Sequence, residues 1–254
     1  MTDQPPASPP TPPAATPPAE PALRAPTPPP APAPPQPPEP ASSPCAGRSR
    51  RAWIILLITV LLSLVADLAS KHFAFKHVAG MPVEVRRDEV MAIAATDPRA
   101  VGSLIPLHRP VVVVPHLLEF TLVLNPGAVF GMGPGQRWFF VCFTAAALAF
   151  GLWMFSRWTR AGDDAAHIGI GMLIGGGLGN LYDRLVYGVV RDFLHPLPGV
   201  HWPFGLRPLG GSGEIWPYVS NVADALLLVG IAILLIYLWR RERAERAPTP
   251  PSRG

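Results

Sequence analysis

Charged residues are scarce in this sequence. They make up 15% of its 254 residues, whereas soluble domains carry about 25%. Four long runs, at about 53–75, 138–157, 165–187 and 218–239, are almost free of charge. Each is close to the ~20 residues that cross a bilayer as a helix. Core helices of a large soluble protein are the alternative, but four such runs leave too little chain to surround them. The sequence therefore predicts four transmembrane helices.

The sequence also lacks the patterns of several common sites. Cys45 lies in a proline-rich tail and Cys142 in the second apolar run, so no disulfide is expected. The stretch IGIGMLIGGGLGN is not a P-loop, because no Lys-Ser/Thr follows it, and its small residues instead let helices approach closely in lipid. No Ser or Cys stands in a recognisable nucleophile context. Metal spacing such as HExxH is absent among the histidines His72, His77, His116, His195 and His201, so neither a metal nor a cofactor is expected.

The positive charge is placed for a membrane rather than for nucleic acid, although the pI is about 9.5. Arginines cluster before the first run and after the second and fourth, at Arg48, Arg50, Arg51, Arg157, Arg160, Arg240, Arg241, Arg243 and Arg246. With four crossings, all three clusters fall on one side, as the positive-inside rule requires. Both termini are therefore predicted to be cytoplasmic, with outer segments at 76–137 and 191–217.

Composition divides the chain into three parts. Residues 1–47 hold 20 of the 35 prolines and cannot build a core, so we expect a disordered cytoplasmic tail. Its stretch PPPAPAPPQPP could bind a partner, or the tail could be a dispensable extension. Residues 243–254 have the same character, which leaves 48–242 as the membrane domain.

The first outer segment has two parts. The stretch VEVRRDEVMAIAATDPRAVGSL predicts a short helix in an insertion at about 80–108. The stretch VVVVPHLLEFTLVLNPGAVFGMGPG predicts two short strands and a turn. The expected fold is thus a mainly α integral membrane protein with four transmembrane helices and a small extracytoplasmic β-sheet between helices 1 and 2.

Two aspartates are placed where a bilayer makes charge costly. We expect Asp192 at the outer end of the third helix and Asp224 about five residues into the fourth, so both lie at similar depth on adjacent antiparallel helices. Two carboxylates in one low-dielectric pocket share a proton and can activate a water. The alternative is that each pairs with an arginine: Asp183 with neighbours of Arg184, and Asp192 with Arg191 or Arg207.

Further polar residues cluster at the same level. Asn180 and Arg184 lie four apart on one face of the third helix. Asn221 precedes Asp224 by three on one face of the fourth, and Asn125 follows a predicted strand and precedes Gly127. Asp67 and Lys71, four apart near the outer end of the first helix, are interpreted as an interfacial ion pair.

Five blocks of this sequence, in order and within residues 50 to 240, resemble the lipoprotein signal peptidases, also called signal peptidase II. DLASK resembles D-Q-x-S/T-K, with Leu68 in place of Gln, and NPGAVFG resembles N-x-G-A-A-F. GGGLGNLYDRLVYGVVRDF is similar to G-G-x-x-G-N-x-x-D-R running into V-x-D-F, and SNVAD resembles F-N-x-A-D, with Ser220 in place of Phe. The 195–217 connection and the 80–108 insertion exceed the usual family length.

The resemblance implies an aspartic endopeptidase of the bacterial inner membrane that removes the signal peptide of diacylglyceryl-modified prolipoproteins, cutting just before the lipidated cysteine. It implies that Asp192 and Asp224 are catalytic. It implies supporting or substrate-binding roles, less direct for the last two, for Asn125, Gly127, Asn180, Asp183, Arg184, Asn221, Asp67 and Lys71. It also implies membrane lipids as surroundings, no nucleic acid, and inhibition by cyclic peptides of the globomycin type.

Two other functions remain open from the residues alone. A small proton-coupled transporter or channel component would also use membrane carboxylates and glycine-rich helices. The outer position of both aspartates and the absence of an internal repeat count against it. A non-catalytic assembly factor with a decayed site is the third possibility, against which the intact Asp192, Asp224, Asn180 and Asn221 argue.

Overall fold

The computed structural model describes residues 44–127, 136–207 and 213–246. In chain order these residues form α1 (Arg50–His77), α2 (Arg87–Thr96), β1 (Val111–Val114), β2 (Leu118–Asn125), α3 (Arg137–Trp158), α4 (Asp164–Val186), β3 (Val190–Pro196) and α5 (Val222–Arg246). Short 3-10 turns lie at Ala46–Arg48, Pro98–Leu104 and Pro203–Gly205. The protein is thus mainly helical, as predicted.

Three of the four predicted spans are helices long and apolar enough to cross a membrane: α1, α3 and α5 as far as Ala244. Their apolar side chains are largely exposed, as at Leu61 (59%) and Phe143 (64%), which suits contact with lipid. The fourth, α4, spans 23 residues but does not reach the same apolarity, because glycines fill its middle and Asn180, Asp183 and Arg184 its last turns. A crossing by α4 stays a prediction.

Glycines let α4 pack closely against two helices at once. Gly171, Gly175 and Gly179, each one turn apart, face α1, where a methyl group at Gly175 would lie 2.5 Å from Ser63 Cβ. Gly176 faces α5, where a methyl group would lie 2.7 Å from the carbonyl oxygen of Ala223. The predicted role of these small residues in close helix approach is confirmed. The close contacts also fix the position of α4 along α1 and α5.

This packing predicts an asymmetry between two helical glycines. Gly175→Ala should destabilise the fold by about 1–3 kcal/mol, the usual cost of overpacking, since the Val60 carbonyl oxygen also lies 2.8 Å from the added methyl. Gly151→Ala on α3 is the matched control, because its methyl would lie 3.6 Å from Ile174 Cγ1, an ordinary contact. Unfolding temperatures in detergent measure both; equal losses in the two variants would contradict the packing argument.

The sheet differs from the expected one. It has three antiparallel strands in the order β1-β2-β3, and the third follows α4 rather than lying between the first two long helices. Asp192 therefore lies on a strand, opposite Val123 of β2, and not at the end of a helix. The physical reason is local: Gly188 takes a positive φ of 86°, which ends the helical path, and the β-branched Val189 and Val190 then favour extended backbone.

The predicted short helix in the insertion is confirmed as α2. Its Val90 and the following Val101 are fully buried in one apolar cluster with Leu122 of β2 and with Val189 and Phe193 around β3. The insertion thus packs on the sheet and supports the strand that carries Asp192.

Both predicted tail boundaries need correction. Residues 44–47 are not part of a tail, because Ala46 is fully buried and donates from its backbone to the Thr159 carbonyl (2.9 Å), while Trp53 Nε1 donates to the Gly47 carbonyl (3.0 Å). At the other end, α5 continues through Arg246. The rest of the predicted tails, 1–43 and 247–254, lies outside the described residues, as do 128–135 and 208–212. Cys45 and Cys142 are free, as expected.

Candidate active site

Asp192 lies at the centre of a buried polar cluster. It is 1% exposed, and both its carboxylate oxygens accept hydrogen bonds, Oδ2 from Asn125 Nδ2 (3.0 Å) and Oδ1 from Asn221 Nδ2 (2.6 Å). Asn125 is the last residue of β2 and Asn221 immediately precedes α5. The cluster is therefore built where the sheet meets the start of α5. Burial, together with the nearby negative charge of Asp224, raises the pKa of Asp192 to about 7.

Asp224 belongs to the first turn of α5, not to a position five residues inside a helix. The Asp224 backbone N–H donates to Asn221 Oδ1 (3.1 Å), and the Asn221 N–H donates to Asp224 Oδ2 (3.3 Å). This reciprocal pair is a capping box, with Asn221 as the N-cap. Asn221 thus contacts both aspartates, since its side chain binds Asp192 and its backbone binds Asp224. Asp224 thus lies at the N-terminus of α5.

Asn180 of α4 completes the connection. Its Nδ2 donates to Asp224 Oδ1 (2.9 Å), while its Oδ1 accepts from Asn221 Nδ2 (3.1 Å) and from Lys71 Nζ (3.0 Å). These contacts fix the orientation of the Asn180 amide, because its oxygen faces the donors and its nitrogen faces the carboxylate. Asp192 and Asp224 are thereby held in one hydrogen-bond network.

Asp67 and Lys71 form a buried pair rather than the predicted interfacial one. Both side chains are 0% exposed, and Lys71 Nζ lies 2.7 Å from Asp67 Oδ2. Lys71 also lies 3.3 Å from Asp183 Oδ2, and Asp67 Oδ1 accepts from the backbone N–H of Ala223 (2.9 Å) in the first turn of α5. The pair thus links α1 to α4 and α5 beside the network that contains the two aspartates.

Arg191 pairs with Asp183 and not with Asp192, the partner considered for it in the alternative interpretation. Its Nη2 lies 2.8 Å from Asp183 Oδ1, and its backbone N–H donates to Asp183 Oδ2 (3.0 Å). Its guanidinium also lies 4.3 Å from the ring centroid of Tyr187. The arginine pairing considered for Asp183 is therefore made by Arg191, which leaves Asp192 without an arginine partner among the described residues and in contact with two amides.

Arg184 borders the cluster next to the loop after β2. Its Nη2 donates to the carbonyl of Gly127 (3.1 Å), and its guanidinium lies over the ring of Phe140 (5.3 Å). The Gly127 N–H donates to Asn125 Oδ1 (3.0 Å), so the side chain that binds Asp192 is itself held.

All ten residues singled out in the sequence lie in this one region. The rest of the NPGAVFG block, from residue 128, lies outside the described residues. No group of three or more potential metal ligands occurs among the residues that the structure describes.

An apolar cavity of about 690 Å³ opens beside the polar cluster. It runs between α3 and α4, and aromatic side chains of α3, including Phe139, Phe140 and Phe143, form one wall. Asn180, Arg184 and Asp224 line its polar end. The cavity thus links the apolar, exposed side of α3 with the aspartate network.

This fold of long apolar helices with a small sheet is a known one. A bacterial membrane enzyme solved by the in meso method at 2.3 Å resolution is similar, with a TM-score of 0.50 and 21% identity over 78% of this chain and 93% of the other. At that identity the likeness shows the fold alone.

The family follows from the sequence comparisons. The model of the signal peptidase II family matches residues 59–240, and the chain belongs to this family of peptidases. The lipoprotein signal peptidase of Desulfitobacterium hafniense is 32% identical over 164 residues, 63% of this chain and 89% of that protein. The lipoprotein signal peptidase of Halothermothrix orenii is 32% identical over 156 residues, 61% of this chain and 90% of that protein. The resemblance found in the five sequence blocks is confirmed.

Proposed function

We propose that this protein is an intramembrane aspartic endopeptidase that removes the signal peptide from diacylglyceryl-modified prolipoproteins, cutting before the lipidated cysteine. The observation that supports it best is the shared contact of Asn221 with both aspartates, which places Asp192 and Asp224 in one network at the end of an apolar cavity. Family membership supports the substrate class.

In the proposed reaction the two aspartates share one proton. Burial favours the protonated form of Asp192, which suits this aspartate to act as the proton donor. Asp224 takes a proton from water as the water oxygen bonds to the scissile carbonyl carbon, and protonated Asp192 donates to the carbonyl oxygen. Collapse of the tetrahedral intermediate breaks the C–N bond: Asp224 gives its proton to the leaving amine, and Asp192 takes back the hydroxyl proton as the carbonyl re-forms. The two aspartates thus exchange the roles of acid and base in this second step.

The surrounding residues have positioning roles in this proposal. Asn125, Asn180 and Asn221 hold the carboxylates through the hydrogen bonds described above. Arg184 has guanidinium N–H groups beyond the one that binds the Gly127 carbonyl, and these can bind backbone carbonyls of an extended peptide. Asp183, Asp67 and Lys71 hold α1, α4 and the start of β3 together.

The membrane placement fits this substrate. With α4 crossing, the protein has four spans, both termini and the arginine clusters are cytoplasmic, and the sheet and aspartates lie near the outer face of the inner membrane. A diacylated cysteine stays at the bilayer surface, so its scissile bond would be presented at the depth of Asp192 and Asp224. The cavity beside α3 would receive the apolar part of the substrate.

One comparison of substrates tests the proposal. The purified protein in vesicles should cleave a preprotein that carries the diacylglyceryl group about 10²-fold or more faster than the same preprotein without it, because the lipid adds a second anchoring contact. Product masses should place the new N-terminus at the lipidated cysteine, and a globomycin-type cyclic peptide should block the reaction. Equal rates on both substrates would reject lipid recognition, and no cleavage of either would reject the peptidase.

A further inference from the structure

A second cavity lies at the opposite, arginine-rich end of the helices. Its volume is about 600 Å³, and it is formed between the start of α4 and the last turns of α5. Its rim is polar and its wall is apolar: Arg160, Asp163, Tyr237, Arg240 and Arg241 surround the opening, and Ala165, Ile233, Ile236 and Ala244 complete the lining. This site is separate from the aspartate cluster.

The rim carries uncompensated positive charge. Among the described residues, the guanidinium groups of Arg160 and Arg240 have no hydrogen-bond or ion-pair partner, and both residues are exposed. Asp163 is the one carboxylate among the described residues of the lining, and it is already engaged, because its Oδ2 accepts from Tyr237 Oη (2.7 Å) and from the backbone N–H of Arg160 (2.8 Å). The guanidinium groups of Arg160 and Arg240 therefore leave the rim suited to an anion.

The apolar side chains of the cavity wall favour an amphipathic anion over a small inorganic one. Ile233 and Ile236 belong to the apolar span of α5, and Arg240 follows Ile236 by one helical turn on the same face. A ligand that fills the cavity must therefore place negative charge at the membrane interface and hydrocarbon below it. Basic pockets between membrane helices bind phospholipid headgroups in this arrangement.

We propose that this cavity binds an anionic phospholipid from the leaflet at the arginine-rich end, which is cytoplasmic in the proposed topology. The phosphate diester lies between Arg160 and Arg240, and an acyl chain follows Ile233 and Ile236 into the bilayer. Tyr237, whose hydroxyl also accepts from Arg241 (3.4 Å), closes the site on the α5 side. The proposal does not require the peptidase mechanism to be correct.

Native mass spectrometry of the full-length protein in detergent tests it. Phosphatidylglycerol should bind the wild-type protein in preference to phosphatidylcholine of the same chain length. The double variant Arg160→Gln and Arg240→Gln should bind phosphatidylglycerol about 25-fold more weakly, at about 5-fold for each arginine near a membrane surface. Arg157→Gln is the matched control, an exposed arginine in the last turn of α3 that does not line the cavity.

The outcomes separate the possible sources of the anion. Equal binding of phosphatidylcholine and phosphatidylglycerol, or an equal loss of affinity in the Arg157 control, would overturn the proposal. Inorganic phosphate alone should not raise the unfolding temperature; if it protects as well as the lipid does, the site is a free-anion site and the lipid assignment is wrong. Unfolding temperatures in lipid-free detergent should be unchanged in all variants, because the substituted arginines are exposed.

Discussion

Asp192→Asn and Asp224→Asn should each lower the rate of preprotein cleavage by about 10²- to 10⁴-fold, the usual contribution of a positioned acid or base. Each substitution leaves the side-chain shape nearly unchanged but removes a group that can gain and lose a proton. The double variant should be little slower than either single variant, because residues that act as a unit show non-additive effects. The assay measures release of the signal peptide from the lipid-modified preprotein under single-turnover conditions.

The fold should survive these substitutions, which makes the assay interpretable. Asp192 is 1% exposed, and a neutral side chain at a buried position avoids the cost of desolvating a charge. Asp88→Asn on α2 is the matched control, because this carboxylate is exposed and pairs only with Arg86 and solvent among the described residues. Wild-type cleavage by either Asp192→Asn or Asp224→Asn would reject the paired-acid mechanism.

The sequence located the polar cluster correctly because its residues occur in short blocks at the ends of apolar runs. It could not give the pairing within the cluster. Arg191 is adjacent to Asp192 and was considered its partner, but consecutive residues of a strand point to opposite faces. Once β3 forms, Arg191 faces Asp183 of α4 and Asp192 faces Asn125 and Asn221.

Strand β3 was not predicted from the sequence, for a related reason. β3 exists because it pairs with β2, a segment far earlier in the chain, as in the pairing of Asn125 with Val190, which are 65 residues apart. Gly188 and the two valines after it favour the end of the helix, but a run of seven residues does not by itself decide between a loop and a strand. The start of α5 was likewise placed too early, since the Asn221 cap depends on the reciprocal contact with Asp224 rather than on hydrophobicity.

Lys71→Met should destabilise the protein by about 3–5 kcal/mol, the usual cost of removing one partner of a buried ion pair. The Lys71 ammonium is fully buried and contacts Asp67 and Asp183, whereas Arg191 compensates only Asp183. Its loss leaves Asp67 buried with one backbone N–H as its remaining hydrogen-bond donor among the described residues. The free energy of unfolding, measured by denaturant titration in mixed micelles, reports the effect.

A double variant distinguishes charge compensation from simple loss of packing. If the uncompensated Asp67 carboxylate causes the destabilisation, then Asp67→Asn together with Lys71→Met should be more stable than Lys71→Met alone, a coupling that a double-mutant cycle measures. Arg86→Met is the control for removing a cation from an exposed pair, with side chains 61% and 66% exposed, and should cost about 1 kcal/mol or less. Additive losses in the cycle would contradict the charge argument. Lys71 also orients the Asn180 amide that binds Asp224, so Lys71→Met should slow cleavage even at temperatures where the fold persists.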